Sequence, residues 1–186
     1  MPQVIVLAFA TLDGFVEDPD GRGGTPAGGW AFRDGPPPPD HFLLGPKLDT
    51  GVLLQGRKTW ELFSRIWPGR PGDFARALNR MPKLVASRTL TDLSAWENSS
   101  LMSGELLDAV EKAKADRDVI ITGSASIVHA LAEHDLVDEY RILSFPTALG
   151  GGTPLFAPEA APVQLRLLSA ETRGTGILAR YERFAS

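Results

Sequence analysis

Two short segments carry the residue types that hold a phosphate: Gly56-Arg57-Lys58-Thr59 and Gly123-Ser124-Ala125-Ser126. Each follows an apolar, β-branched run and precedes a run with helical spacing, so each stands where a buried strand turns into a helix. The first turn of a helix leaves backbone N–H groups without partners, and their summed dipole favours an anion. Gly56 lets a ligand approach the backbone closely, Thr59 offers a hydroxyl, and Arg57 and Lys58 add two fixed cations. At the second segment the side chains of Ser124, Ala125 and Ser126 are small enough to leave a ligand room. Taken singly, either segment is equally well a plain helix start; together they point to a phosphorylated nucleotide.

The same residue types exclude other chemistry. Neither segment has the spacing G-x-x-x-x-G-K-[ST], and no G-x-G-x-x-G follows the first apolar run, which argues against nucleoside triphosphatases and ordinary dinucleotide folds. Ser124 and Ser126 lack the G-x-S-x-G elbow of a hydrolase. His41, His129 and His134 do not have metal spacing, so no metal is expected. The chain has no cysteine, which removes disulfides and thiolate chemistry and suits a cytoplasmic protein.

Positioning such loops takes a sheet. Val4–Ala10, Gly51–Gly56, Lys83–Ala86, Asp118–Thr122 and Glu139–Leu143 read as buried strands. Helices are predicted at Arg57–Arg65, with Trp60 and Phe63 along one side, and around Ile127, Val128 and Leu131. Shorter helices are expected near His41–Leu48, over Asp73–Asn79 capped by Asp73, and after a Ser103 cap through Leu106, Leu107, Val110 and Ala113. Two alternating runs, Val163–Leu168 and Gly176–Phe184, read as a hairpin turning near Gly174. Strands alternating with helices before that hairpin imply an α/β fold of three layers, αβα, with a mixed, mostly parallel sheet and an antiparallel C-terminal hairpin. In a parallel sheet both loops lie at the carboxyl ends of strands, where such folds bind ligands.

At 186 residues, with 43% hydrophobic and 23% charged residues, the chain is expected to form one domain over residues 1–186 with an ordinary core. A net charge of −4 without any basic block argues against nucleic acid as a partner. The apolar stretch Val4–Ala10 is too short for a membrane span.

Gly56-Arg57-Lys58-Thr59-Trp60-Glu61 resembles the cofactor-binding G-R-x-T-W-E stretch of dihydrofolate reductases. Thr11-Leu12-Asp13-Gly14-Phe15, Ser87-Arg88, Gly123-Ser124 and Leu149-Gly150-Gly151-Gly152-Thr153-Pro154-Leu155-Phe156 look, in that order, like the C-terminal reductase domain of the bacterial riboflavin-biosynthesis deaminase-reductase, here in a stand-alone form. The resemblance implies a dihydrofolate-reductase-like fold, NADPH as hydride donor, a small heterocyclic substrate like the ribosylaminouracil phosphate of riboflavin synthesis, and a homodimer. Carried over position by position, it sets Arg57 and Lys58 near the adenosine 2′-phosphate, and Gly56 and Thr59 at the pyrophosphate. Ser87 and Arg88 would lie along the adenosine half. Thr122, Gly123, Ser124, Ala125 and Ser126 would form the turn under the pyrophosphate and nicotinamide ribose, and the Ala10 backbone would meet the nicotinamide amide.

Two departures stand out. The second glycine of the family's Gly-Gly turn reads Ser124, and Pro36-Pro37-Pro38-Pro39-Asp40-His41-Phe42 occupies the region where dihydrofolate reductases keep a carboxylate, which argues against folate reduction. For the substrate half two residues are candidates. Asp13 either stands over the substrate, with Asp13 or water giving the proton, or simply makes a turn. Trp30 either stacks on a ligand ring or pins the long loop Glu17–Pro39 to the core. The alternative function is a non-catalytic nucleotide, flavin or antifolate binder on the same fold.

Overall fold

The structure, a computed structural model, describes residues 1–38 and 40–184. Eight strands form one sheet: β1 (Val4–Thr11), β2 (Val52–Gly56), β3 (Lys83–Ala86), β4 (Ser99–Leu101), β5 (Val119–Ile121), β6 (Glu139–Phe145), β7 (Leu165–Arg173) and β8 (Gly176–Arg183). Their order across the sheet is β4-β3-β2-β5-β1-β6-β8-β7. The first six are parallel, and β8 and β7 close the sheet as an antiparallel hairpin. This is the expected α/β architecture of the dihydrofolate-reductase-like type.

The strands buried on both faces are the ones whose residues are almost all apolar, because helices cover the sheet from either side. On one face α2 (Arg57–Ile66) and α3 (Asp73–Arg80) pack through Trp60, Phe63 and Leu78 onto Ile5, Leu53, Val85 and Ile120. On the other, α4 (Leu106–Lys114) and α5 (Ala125–Glu133) place Val110, Ile127, Val128 and Leu131 against Val4, Val6, Leu54 and Ile121. Among the described residues no helix is long and apolar enough to cross a membrane.

Several local expectations are corrected. The segment around His41–Leu48 is not a helix; only the single turn α1 (Lys47–Thr50) forms. Leu43 and Gly45 have φ of 53°, Asp40 has φ of 48°, and the Asp40 carboxylate accepts from the N–H groups of Leu44 and Gly45 at 2.7 and 3.0 Å, so a side-chain-closed turn replaces the helix. Asp73 does not cap α3: Gly72 is the N-cap residue, and Asp73 sits inside the first turn paired with Arg76. Ser103 does not cap α4, because Gly104 takes φ of 80° and turns the chain before Glu105, the residue at the cap position. Strand β4 went unforeseen, since three residues carry too little periodicity to read. Of the Pro36–Phe42 stretch, Pro39 lies outside the described residues.

The β3–β4 margin is held by Lys83, whose buried ammonium donates to the carbonyls of Asn79, Met81 and Glu97 at 2.7, 2.8 and 3.0 Å and lies 4.4 Å from the Trp96 ring centre.

Candidate functional site

The two glycine-led segments meet. Strands β2 and β5 pair directly, Leu54 opposite Ile121, so the loops leaving their carboxyl ends are neighbours. The Gly56 N–H donates to the Gly123 carbonyl at 3.2 Å. A Cβ on Gly56 would lie 2.6 Å from Ser124 Oγ, and one on Gly123 would lie 3.0 Å from Thr59 Oγ1. The two segments therefore need glycine because each runs against the other's backbone and hydroxyl. Gly123 has φ of 129°, and its peptide bond to Ser124 is cis. Ser124 fits opposite Gly56 with its hydroxyl 2.8 Å from that of Ser126.

From this contact α2 and α5 start on opposite faces of the sheet, Gly56 and Ser124 being their N-cap residues, and neither cap position is closed by a side chain. First-turn N–H groups of both helices thus open toward the same edge. Strand β3 ends beside β2, Ala86 opposite Gly56, which brings Ser87 and Arg88 to the corner where Arg57 and Lys58 emerge. Arg57, Lys58 and Arg88 are exposed there. Arg57 pairs with Glu61 at 3.0 Å across one helical turn, and Ser87 Oγ accepts from Thr89 and Leu90 at 3.2 and 2.9 Å, shaping its turn. Thr122 Oγ1 accepts from the buried Gln55 amide at 2.8 Å, tying β5 to β2 just below the glycines.

Next to the loops the sheet parts. Pairing of β1 with β5 stops at Val6 opposite Ile121, whereas β1 continues against β6 as far as Thr11 opposite Phe145. On its β5 side, Ala10 lies beyond the last paired residue of that ladder. A divergence of this kind is where open parallel sheets bind ligands.

Beyond β1, two long loops are sewn together. Phe15 bridges Pro154, Leu12 N–H donates to the Thr147 carbonyl at 2.8 Å, and Val16 N–H to that of Thr153 at 2.8 Å. Asp13 closes the seam: its carboxylate accepts from Thr11 Oγ1 at 2.6 Å, from Gly150 N–H at 2.7 Å and from Leu149 N–H at 3.0 Å. The Thr11 hydroxyl and then the Gly150 N–H hold this carboxyl below the ordinary value of 3.8, so it stays ionised near neutral pH and is a poor proton donor. Asp13→Ala is expected to speed amide exchange at Leu149 and Gly150 roughly tenfold or more, measured by NMR, because two of the loop's anchors vanish. Unchanged exchange there would show that the seam holds without it.

Trp30 is buried to 2% exposure, donates Nε1–H to the Glu17 carbonyl at 2.8 Å, and meets Phe145 edge-on with centroids 5.6 Å apart. Its ring pins the long loop and leaves no open face for a ligand. His129 and His134 bond to carbonyls of Pro154 and Ala130 at 3.0 and 2.9 Å. Among the described residues no three His, Asp or Glu groups converge on a metal position. Sequence reasoning missed Gln55 and Glu17, whose roles appear only once their distant partners, Thr122 and Thr153, are adjacent.

The glycine cradle, the three cations and the parted strands thus gather at one edge of the sheet. An uncharacterized Bacillus subtilis protein, YyaP, is 26% identical over 183 residues, 95% of this chain and 92% of its own. A Shewanella protein provisionally assigned to riboflavin biosynthesis superposes with a TM-score of 0.76 at 24% identity, covering 98% of this chain and 99% of its own. A pyrimidine reductase-like protein of Corynebacterium diphtheriae does so with a TM-score of 0.69 at 13% identity, over 100% of this chain and 93% of that one. RibD of Acinetobacter baumannii gives 0.66 at 17% identity, the match taking in 99% of this chain and 58% of the longer protein. Residues 2–179 match the RibD C-terminal domain, and the chain belongs to that family of reductases.

Proposed function

We propose that the chain is an NADPH-dependent reductase of a small heterocyclic substrate, akin to the reductase step of riboflavin biosynthesis. The observation that carries the proposal is the contact between Gly56 and Gly123–Ser124 at the mouth of the β1–β5 divergence, with Arg57, Lys58 and Arg88 at one corner. Bound there, NADPH supplies the hydride. First-turn N–H groups of α2 and α5, with Thr59, Thr122, Ala125 and Ser126 around them, hold the pyrophosphate; the cations take the adenosine 2′-phosphate, Ser87 lines the adenosine side, and Ala10 receives the nicotinamide through its backbone. Asp13 positions the loop over this end, and water delivers the proton.

The Arg57–Glu61 ion pair is an exposed pair one helical turn apart, the weak kind, so Arg57 is cheaply released to a phosphate. Arg57→Ala is expected to weaken NADPH roughly 10- to 100-fold, the worth of a charge-assisted hydrogen bond, with NADH little changed. Thermal shifts with NADPH, NADH and FMN measure this, and equal losses for the two nicotinamide nucleotides would overturn the assignment. Loss of the nicotinamide absorbance band in the presence of pteridine, pyrimidine or quinone substrates tests turnover. The engaged Asp13 carboxylate favours one alternative, a non-catalytic nucleotide, flavin or antifolate binder, which predicts NADPH binding without oxidation for every substrate.

A second copy of the chain is the proposed partner. The β7–β8 hairpin ends the sheet with Leu167, Leu168 and Ile177 exposed, and an uncovered apolar edge of this kind needs a neighbour. Light scattering on a sizing column is expected to give a dimer mass; a monomer removes the proposal. Without a cysteine the fold has no need of an oxidising compartment, and the reading sets it in the cytoplasm.

A further inference from the structure

Strand β7 ends the sheet: β8 pairs with one of its margins, and among the described residues no strand pairs with the other. A free margin nine residues long presents a row of backbone N–H and C=O groups to any strand that matches it. The pairing with β8 tells which residues present them. Phe184 N–H donates to the Gln164 carbonyl at 2.9 Å, on the β7 side, and Arg183 N–H to the Asp138 carbonyl at 3.1 Å, on the β6 side. Alternation along β8 then turns the backbone groups of Glu182, Arg180, Leu178 and Gly176 toward β7, where they meet Arg166, Ser169, Glu171 and Arg173. Leu165, Leu167, Ala170 and Thr172 are left with their N–H and C=O groups directed away from the sheet.

The register shift between Leu167 and Ser169 inserts Leu168 as an extra residue, so the faces of β7 change parity across it. Arg166, Ser169, Glu171 and Arg173 share one face with Glu182 and Arg180; Leu165, Leu167, Ala170 and Thr172 share the other with Tyr181, Ala179 and Ile177. Arg166, Leu167, Leu168, Ala170, Glu171 and Thr172 are all exposed. The two central charges have only surface partners within the chain: Arg166 pairs with Glu182, and Glu171 lies 3.5 Å from Arg173. Such pairs contribute little to stability and leave both groups able to take a second partner.

Two copies of β7 laid antiparallel across a two-fold axis must set residues of the same face opposite one another. One register does so over residues 165–172 and also brings the outward backbone groups face to face. It sets Leu165 against Thr172 of the second copy, Arg166 against Glu171, Leu167 against Ala170 and Leu168 against Ser169, so opposite charges meet twice. A slip of one residue puts Arg166 opposite Ala170 or Thr172, which lie on the other face. A slip of two puts Arg166 against Arg173 in one direction and takes both charges away from each other in the other.

We propose that the second copy of the chain docks edge to edge, β7 against β7 in this register, joining the two sheets into one. The inference rests on the reading that a second copy is the partner, and it assigns the surface and the register. The strand is complementary to itself in charge, in face and in outward backbone groups at once, which is what an isologous interface requires and an unrelated strand does not supply.

The test is light scattering of the full chain over a range of concentrations, with circular dichroism to check folding. Arg166→Glu leaves acids at both facing positions and Glu171→Arg leaves cations at both, so each variant alone is expected to form the dimer at least about tenfold more weakly than the wild type. An equimolar mixture of the two variants puts opposite charges at both positions again and should recover the dimer mass. Ala170→Pro removes an N–H that the single copy does not use, at an edge position that admits proline, and should give a folded monomer. It is the second route if a charge reversal prevents folding. Wild-type protein that stays monomeric at every concentration would overturn the edge pairing and the second-copy reading together. A dimer equally tight in the wild type, both charge variants and Ala170→Pro would overturn the edge pairing and leave the second copy docked by another face.

Discussion

A single methyl group at position 123 is expected to weaken NADPH at least about 100-fold, the scale at which a misplacement of about 1 Å acts on a positioned ligand. Gly123 has φ of 129°, a conformation that costs any other residue about 1–3 kcal/mol, and its Cβ would press on Thr59 Oγ1 at 3.0 Å. Gly123→Ala should therefore lose stability as well as affinity, seen in thermal denaturation and in NADPH calorimetry on the same protein. Gly56→Ala separates the two effects. Gly56 has φ of −73° and ψ of 160°, which alanine adopts freely, so its conflict is with the Ser124 side chain, Oγ at 2.6 Å and Cβ at 3.2 Å. Removing that side chain with Ser124→Gly should restore much of the affinity lost in Gly56→Ala, a coupling read by the double-mutant cycle. Ser124, the residue that departs from the family's Gly-Gly turn, is thus matched by a glycine on the neighbouring strand. A Gly123→Ala protein that binds NADPH as the wild type does would remove the cradle from the mechanism.

Glu139→Gln is expected to lower stability by about 3–5 kcal/mol, the usual cost of leaving a buried charge without its partner. Glu139 is 2% exposed on β6 and accepts from Arg180 Nε at 2.8 Å and from Arg141 Nε at 2.9 Å. Arg141 in turn donates to the carbonyls of Phe42, at 2.9 Å, and Leu43, so the acid is what fixes the guanidinium holding the His41 loop against the sheet. For a chain of this size the melting temperature should fall on the order of 10 °C at pH 7. Burial alone would raise the Glu139 carboxyl, but the hydrogen bonds from Arg180 and Arg141 outweigh it and leave it below the ordinary 4.5. The stability it contributes is therefore fully present above about pH 4.5 and is lost as pH falls through the lower folded value. The difference between wild type and variant should be large at pH 7 and shrink at pH 3. A variant as stable as the wild type at neutral pH would show that Arg141 is held by the two carbonyls alone.

Val4–Ala10, Val52–Leu54 and Val119–Ile121 are apolar in every position because both faces are covered, so the sequence by itself determines that they are central parallel strands. It likewise determines that Gly56 and Gly123 each end a strand and start a helix, since strand, glycine and amphipathic run follow one another locally. Capping was less legible: whether Asp73 or Ser103 reaches a free N–H depends on the φ of Gly72 and Gly104, which residue type permits but does not dictate. Only the tertiary structure decided that β2 and β5 are neighbours, that Gly56 is cut small to admit Ser124, and that Asp13 spends its carboxylate on Leu149 and Gly150. Periodicity reports the environment a residue needs, whereas which distant residue supplies it is set by strand order and register, and those are settled only when the sheet closes.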